Sequence, residues 1–303
     1  MSSLAMSRNS SRAKMSPAKA RKIALGILKY VFMLILVVFF TFPILWMVSN
    51  SFKSQEDVYA SISSFSTFFP STWDISKWWT SYGLLFSTFS DFGRSILNSV
   101  FYCAIEIVAV LLINSLAGYA LARYSFPFSK TIRTFIIIVM LVPVETSVVP
   151  TYVILYRLGL LKNGLNIIGY LLPGFCSPMY TYMFRQYFLS IPKEIEEAAR
   201  LDGCSRLGIF FKIALPLSLP IFATAAIFTF MGQWNEYIFA QLMFTDTSMQ
   251  PLQVFLQLVN TYNPSNIAVT MCALTISTIP IALVYIFFQK WIVEGVSFSG
   301  VKG

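Results

Sequence analysis

Long apolar stretches separated by short polar segments form the dominant pattern along this chain. A helix needs roughly 20 apolar residues to cross about 30 Å of hydrocarbon, and six stretches reach that length. They lie at about 24–48, 95–121, 132–156, 165–189, 215–240 and 266–289. Helices are expected because lipid offers no partner for an unpaired backbone amide. The pattern therefore predicts an all-α polytopic membrane protein with six transmembrane helices.

The composition agrees with a lipid environment. Hydrophobic residues make up 56% of the 303 residues and charged residues only 12%, whereas a soluble domain is about one quarter charged. The chain has no histidine, which excludes His-based metal sites and Ser-His triads. The four cysteines lack the short spacings of a metal site or a disulfide framework. No metal site is predicted.

Basic residues set the expected orientation, because cytoplasmic loops of membrane proteins are enriched in Lys and Arg. Residues 1–22 carry six basic residues and no acid, so they are predicted to form a basic cytoplasmic tail. With six spans, 16 of the 22 basic residues lie inside and four outside. Both termini are then cytoplasmic. The first apolar stretch is too long for a signal peptide and lacks an Ala-x-Ala site.

Three acidic residues lie within predicted spans, where a charge should face the bundle interior or water. Glu145 lies between two prolines that can break the helix. Asn235 and Glu236 lie near the end of the fifth span. Glu145, Asn235 and Glu236 are candidates for a translocation path. Glu236 is equally compatible with a residue in contact with interfacial water. For Glu106 a buried structural hydrogen bond is expected. Ordinary kinked packing is the alternative reading of the prolines.

The loop between the fourth and fifth spans has the local chemistry of a short helix at about residues 193–202. Pro192 suits the first turn, acidic residues follow it, and Gly203 suits a C-terminal stop. Helical spacing places four residues on one side that is small enough for close approach by another protein: Ile195, Ala198, Ala199 and Asp202. Glu196, Glu197 and Arg200 supply charges that could fix the register. A solvated connector is the alternative.

The chain has no Gly-x-x-x-x-Gly-Lys-Ser/Thr phosphate loop, so it is not expected to be an enzyme.

The same loop resembles the EAA loop of permease subunits in binding-protein-dependent ABC importers. The resemblance begins with Glu197-Ala198-Ala199 and continues, after a gap of three residues, with Gly203. Ile213 follows after a gap of nine residues, and Leu215-Pro216 after a gap of one. Residues 117–123, residues 232–236 and the ending from Gly295 to Gly303 resemble the maltose type of carbohydrate importer. The resemblance covers roughly residues 24–303.

This resemblance implies a type I ABC importer transmembrane fold, with residues 23–303 as the permease, a core at about 93–290 and a coupling loop at about 190–214. The loop helix would dock into an ATPase subunit, which gives coupling roles to Glu197, Ala198, Ala199, Asp202 and Gly203. The tail would reach the ATPase dimer through Lys302 and Gly303.

The implied partners are a second, non-identical permease, two ATPase subunits that bind ATP and Mg, and an extracytoplasmic solute-binding protein. This chain itself would hold no cofactor and would lie in a prokaryotic plasma membrane. The implied function is import of an oligosaccharide or polyol by alternating access. An importer for amino acids or peptides, an ion-coupled carrier with Glu145 and Glu236 as ion sites, and a membrane scaffold remain alternatives.

Overall fold

The computed structural model describes residues 17–162, 164–262 and 266–300, and these residues form helices and connecting segments without a β-strand. Three long helices run through the fold: α1 (Pro17–Ser51), α5 (Phe92–Arg123) and α16 (Ile267–Gly300). Each contains an apolar segment long enough to cross a membrane. Pro43 and Pro280 lie inside α1 and α16 without ending them. The all-α membrane architecture predicted from the sequence is confirmed.

The third predicted span is broken. Helix α6 (Ser129–Met140) is followed by a 3₁₀ turn (Val144–Ser147) and α7 (Val148–Arg157), and the two halves meet at 97°. Pro143 lies in the break, where it cannot donate a backbone hydrogen bond and disfavours helical backbone in the residue before it. Pro150 falls in the first turn of α7, where a missing donor is tolerated.

The fourth predicted span is also divided. It consists of α8 (Asn166–Leu171), a 3₁₀ turn (Leu172–Gly174) and α9 (Pro178–Ser190). Asn114 of α5 bridges this break: its amide donates to the Phe175 carbonyl at 2.9 Å and its side-chain oxygen accepts from the Ser177 amide at 2.8 Å. A neighbouring helix therefore satisfies backbone groups that the break sets free.

The fifth span begins at α13 (Leu219–Trp234), four residues later than predicted. The preceding segment comprises α11 (Arg206–Ile209), a π-helical turn (Phe210–Ala214) and α12 (Leu215–Leu217). It meets α13 at 80°. The described residues thus hold three helices with the length and composition of a span, or up to five when each bent pair counts as one. The exact number of six is not confirmed.

Shorter helices lie between the long helices along the chain. The segment between α1 and α5 contains α2 (Gln55–Ser61), a 3₁₀ turn (Phe65–Phe68), α3 (Ile75–Trp78) and α4 (Thr80–Thr88). After α13 come α14 (Ile238–Met243), a 3₁₀ turn (Thr247–Met249) and α15 (Leu252–Tyr262). The loop between α9 and α11 contains α10 (Lys193–Leu201).

Helix α5 lies at the centre of the fold. It contributes to three apolar clusters along its length, through Cys103, Tyr102 and Tyr119 respectively. Its closest crossing is with α9 at Gly118, where an added Cβ would lie 2.8 Å from the Arg185 backbone nitrogen. Real Cβ atoms do not approach backbone so closely, so only glycine permits this crossing.

Candidate functional site

Helix α10 forms where the sequence predicts a short helix between the fourth and fifth spans. Its C-terminus is closed by Gly203 at φ +82°, a left-handed conformation that favours glycine. The Gly203 amide donates to the Arg200 carbonyl and the Cys204 amide to the Ala199 carbonyl, both at 3.0 Å. These two bonds form a Schellman motif, so α10 is a discrete helix with a sharp end.

A buried ion pair attaches α10 to the end of α5. The Nε atom of Arg123 lies 2.7 Å from Oε1 of Glu196, and the two side chains are only 3% and 5% exposed. A second guanidinium nitrogen of Arg123, Nη2, donates to the Ile191 carbonyl at 2.7 Å. Arg123 therefore contacts both α10 and the residue that follows α9. We call Arg123, Glu196 and the Ile191 carbonyl the α5–α10 anchor.

The position of Glu196 differs from the sequence-based expectation, which made it a charge available to another protein. Glu196 faces inward because the last residue of α5 supplies an opposite charge. The signal for this contact was Arg123 itself, a basic residue that ends a largely apolar helix and suits its C-terminal dipole. The sequence does not reveal which acid pairs with it, since the partners are far apart along the chain.

The side chains of α10 divide into an inward and an outward face. Glu196 and Ala199 are its two buried residues. Glu197, Ala198 and Asp202 are exposed, together with Ile195 at 40% and Leu201 at 90% exposure. The side predicted for docking therefore keeps Ile195, Ala198 and Asp202 and loses Ala199, which packs against its own chain.

The surface beside α10 is also apolar in part. Leu207 of α11 is 63% exposed, and the Arg206 guanidinium lies 5.1 Å from the centre of the Tyr124 ring. Exposed leucines flanked by acidic and basic side chains suit contact with a protein surface. Lys302 and Gly303, the other two predicted coupling residues, lie outside the described residues.

The three candidates for a translocation path lie in two places. Glu145 is exposed in the 3₁₀ turn at the 97° bend. Asn235 is exposed at the end of α13 and donates to the Met231 carbonyl at 2.7 Å. Oε1 of Glu236 accepts from the Phe239 amide at 2.7 Å and so satisfies the start of α14. No hydrogen bond or ion pair among the described residues joins Glu145 to the other two.

Glu106 is buried in the middle of α5, 6% exposed. Its carboxyl group fills the space that a Cβ at Gly174 would need, so it packs against the break between α8 and α9. The expected hydrogen bond is absent at one oxygen, since Oε2 has no partner among the described residues. Glu106 therefore stands apart from Glu196, which is buried with an opposite charge.

Long apolar helices and proline-broken spans define a multi-pass membrane protein, and a separately capped helix lies in one of its loops. Residues 114–298 match the family described as "Binding-protein-dependent transport system inner membrane component". The chain belongs to this family of membrane-embedded transport permeases, which confirms the resemblance that the EAA loop indicated.

Individual relatives extend the likeness over almost the whole chain. The probable ABC transporter permease protein YurM of Bacillus subtilis is 32% identical over 280 residues, covering 90% of this chain and 88% of YurM. The arabinooligosaccharides transport system permease protein AraQ of Halalkalibacterium halodurans is 31% identical over 265 residues, 86% of this chain and 91% of AraQ.

A solved structure supports the fold independently. The crystal structure of a bacterial ABC transporter involved in the import of the acidic polysaccharide alginate contains a chain that matches with a TM-score of 0.76 and 26% identity. The match covers 91% of this chain and 98% of that chain. The present fold is therefore that of an ABC importer permease.

Proposed function

We propose that this chain is the permease subunit of an ATP-driven importer that moves a carbohydrate across the plasma membrane by alternating access. The observation that carries the proposal is α10: a short, capped helix with an exposed, partly apolar face, held on the permease by a buried ion pair. Such a helix offers a defined surface to a separate ATPase. An ATP-driven importer would need that separate subunit because the sequence of this chain has no phosphate loop.

The solute class is inferred from the relatives. AraQ is a permease for arabinooligosaccharides, and the matching crystal structure is of an alginate importer. An oligosaccharide or a related polyol is therefore the proposed solute of this chain. The likeness extends over most of both chains, so it includes the membrane helices as well as the loop that contains α10.

In the proposed mechanism, two ATPase subunits bind ATP and Mg and close on each other, and α10 moves with the subunit that holds it. Ile195, Ala198 and Leu201 would contact the ATPase through apolar surface, and Glu197 and Asp202 would fix the orientation of the helix. Gly203 ends the helix so that it fits a cleft. This chain needs no cofactor of its own in this scheme.

The assembly would contain a second, non-identical permease and an extracytoplasmic solute-binding protein. Its path would be shared between the permeases, with Glu145, Asn235 and Glu236 as the candidates from this chain. The excess of basic residues in the first 22 residues supports cytoplasmic termini in a prokaryotic plasma membrane, and Lys302 and Gly303 would then lie on the ATPase side.

The test is reconstitution of the full complex in proteoliposomes with Glu197→Lys. We expect normal membrane insertion, loss of ATPase co-purification and loss of solute uptake, because the new cation would reverse the charge of the docking face. Gly203→Asp should act in the same direction through the helix end. Glu56→Lys is the matched control, since it makes the same substitution at an exposed site outside α10.

Two results would contradict the proposal. Normal ATPase binding and uptake by Glu197→Lys would remove α10 from the docking surface. Solute uptake by this chain alone without ATP would instead support an ion-coupled carrier. Competition by amino acids or peptides, with none by oligosaccharides, would keep the importer and change its solute class.

A further inference from the structure

We propose that the α5–α10 anchor transmits movement of α10 to a rigid pair formed by α5 and α9, which makes Arg123 and Glu196 positioning residues for transport. This inference rests on the proposed function, because it assumes that an ATPase moves α10. It goes further in naming the contact by which that movement reaches the membrane helices.

The first step is that α10 has few other attachments. Glu196 and Ala199 are its only buried residues, and Ala199 offers only an apolar methyl group. On either side α10 is bounded by connecting segments, residues 191–192 before it and residues 202–205 after it. The ion pair with Arg123 therefore joins the inward face of α10 to the end of α5.

The second step is that Arg123 connects three elements. It ends α5, its Nε lies 2.7 Å from Glu196 of α10, and its Nη2 donates to the carbonyl of Ile191 at 2.7 Å, directly after α9. Because both contacts use one planar guanidinium group, the end of α9 and the first half of α10 are held at a fixed separation. Displacement of α10 must then either move α5 or lengthen or break the contacts of Arg123 with Glu196 and the Ile191 carbonyl.

The third step is that α5 and α9 move together. Gly118 leaves no space for a Cβ between the helices. About one turn to either side of Gly118, further contacts join the same pair: Asn114 accepts from the Thr181 hydroxyl at 2.9 Å, and the Arg185 guanidinium donates to the Leu121 carbonyl at 3.4 Å. A close crossing with polar contacts on both sides resists sliding, so a force at Arg123 acts on both helices.

The fourth step concerns the contacts of the α5–α9 pair at the break between α8 and α9. Further along α5 lies Glu106, whose carboxyl group packs against Gly174 in the break before α9. Asn114 also bonds to both sides of that break. The pair therefore connects the α5–α10 anchor to the broken part of the fourth span, where residues 172–174 are exposed.

The experiment compares Arg123→Met with Lys130→Met in the complete importer. Both variants remove one cation from the same connecting region, and Lys130 is exposed. We measure ATPase co-purification, ATP hydrolysis stimulated by loaded binding protein, and solute moved per ATP. Arg123→Met should keep ATPase binding and hydrolysis and lower solute moved per ATP by about tenfold, the usual scale of coupling between sites. Lys130→Met should match the unmodified protein.

Three further variants keep the test decisive. Glu196→Gln preserves the shape of the side chain if Arg123→Met fails to fold, and it should show the same loss. Arg123→Lys should give intermediate values, because a single ammonium group cannot satisfy both acceptors as a guanidinium does. Arg123→Met with Glu196→Leu removes both charges, so it leaves no buried charge alone and should fold at least as well as either single variant, with transport per ATP still low.

Full solute transport per ATP in the double variant would overturn the inference, because packing alone would then suffice. Loss of ATPase co-purification in Arg123→Met or Glu196→Gln would also overturn it, since the anchor would then serve docking. Either outcome leaves the proposed function intact. The proposed function fails on a different result, namely normal ATPase binding by Glu197→Lys.

Discussion

Arg123 and Lys53 are both buried cations that hold connecting segments in place, but they do so with different partners. Arg123 faces the carboxylate of Glu196 at 2.7 Å. Lys53, 2% exposed, donates through Nζ to the Ser61 hydroxyl at 3.0 Å and to the Ser66 and Thr67 carbonyls at 3.2 and 3.0 Å. We call Lys53 with these three acceptors the Lys53 anchor.

The two anchors also differ in how far along the chain they reach. The acceptors of Lys53 lie 8, 13 and 14 residues away, so this anchor closes the segment after α1 on itself. Arg123 contacts Ile191, 68 residues away, and so joins separate helices. The Lys53 anchor uses neutral oxygens and fixes one segment. The α5–α10 anchor includes a pair of opposite charges and fixes the positions of several helices relative to one another.

The largest effect is expected where the α5–α10 anchor depends on close helix packing. In Gly118→Ala the new Cβ would lie 2.8 Å from both the Arg185 nitrogen and the Phe184 Cβ, and 2.9 Å from the Thr181 carbonyl oxygen. The helices α5 and α9 must separate, at a cost of about 3 kcal/mol. We expect a large drop in the amount of folded protein and in its thermal stability in detergent.

Gly83→Ala is the control for this substitution. Gly83 lies in α4 with no atom within 4 Å of its would-be Cβ, so alanine should be neutral or slightly stabilising in that helix. Equal behaviour of the two variants would mean that the α5–α9 crossing is less tight than described and cannot hold Arg123 in place.

A smaller effect is expected from removing the cation of the local anchor. Lys53→Met takes a donor from three oxygens, two of them backbone carbonyls, at a cost of roughly 2 kcal/mol. The segment between α1 and α5 should loosen, and trypsin should cleave faster after the exposed Lys77. Lys130→Met serves as the control. Unchanged cleavage would show that the remaining contacts suffice, including Ser81 to the Lys53 carbonyl at 2.7 Å.

The helices that could be predicted from the sequence are those with strong local signals. Apolar length identifies α5 and α16, and Pro192 with Gly203 brackets α10. The breaks could not be placed, because proline permits a break without requiring one. Pro43 and Pro280 lie in continuous helices, whereas Pro143 lies in a 97° bend. The packing around each proline decides between these outcomes.

The candidate site was predicted in part. The helix α10 and the spacing of its residues follow from the sequence, but which of its small residues face outward depends on where α5 ends. Glu196 and Ala199 turn inward because Arg123 lies on that side. The roles of the α10 residues in ATPase docking stay predictions, as do those of Glu145, Asn235 and Glu236 in a translocation path.

A third substitution separates the cap of α10 from its anchor. Gly203→Ala places a Cβ on a residue at φ +82°, which costs about 1 kcal/mol for a non-glycine residue. The end of α10 should fray while the ion pair persists, so uptake should fall only severalfold, less than in Arg123→Met. Hydrogen exchange of the Gly203 and Cys204 amides measures the fraying.

Gly93→Ala is the matched control, because Gly93 lies in a helix with open space around its would-be Cβ. A loss of uptake in Gly203→Ala as large as that in Arg123→Met would make the cap, and not the anchor, the dominant constraint on α10.

The smallest expected effect is a pH dependence of the Lys53 anchor. Burial lowers the pKa of Lys53 below its ordinary value of 10.5, and nearby Asp57 partly opposes this change. Between the lowered pKa and 10.5, the folded protein binds fewer protons at this site than the unfolded chain, so the free energy of unfolding rises with pH. Below the lowered pKa both states are charged and the contribution is constant.

The measurement is the thermal unfolding temperature of the unmodified protein minus that of Lys53→Met, followed from about pH 8 to about pH 10. This difference should rise with pH, and taking it removes the titration of other groups. A flat or falling difference would mean that the three oxygens hold the charged ammonium strongly enough to offset its burial.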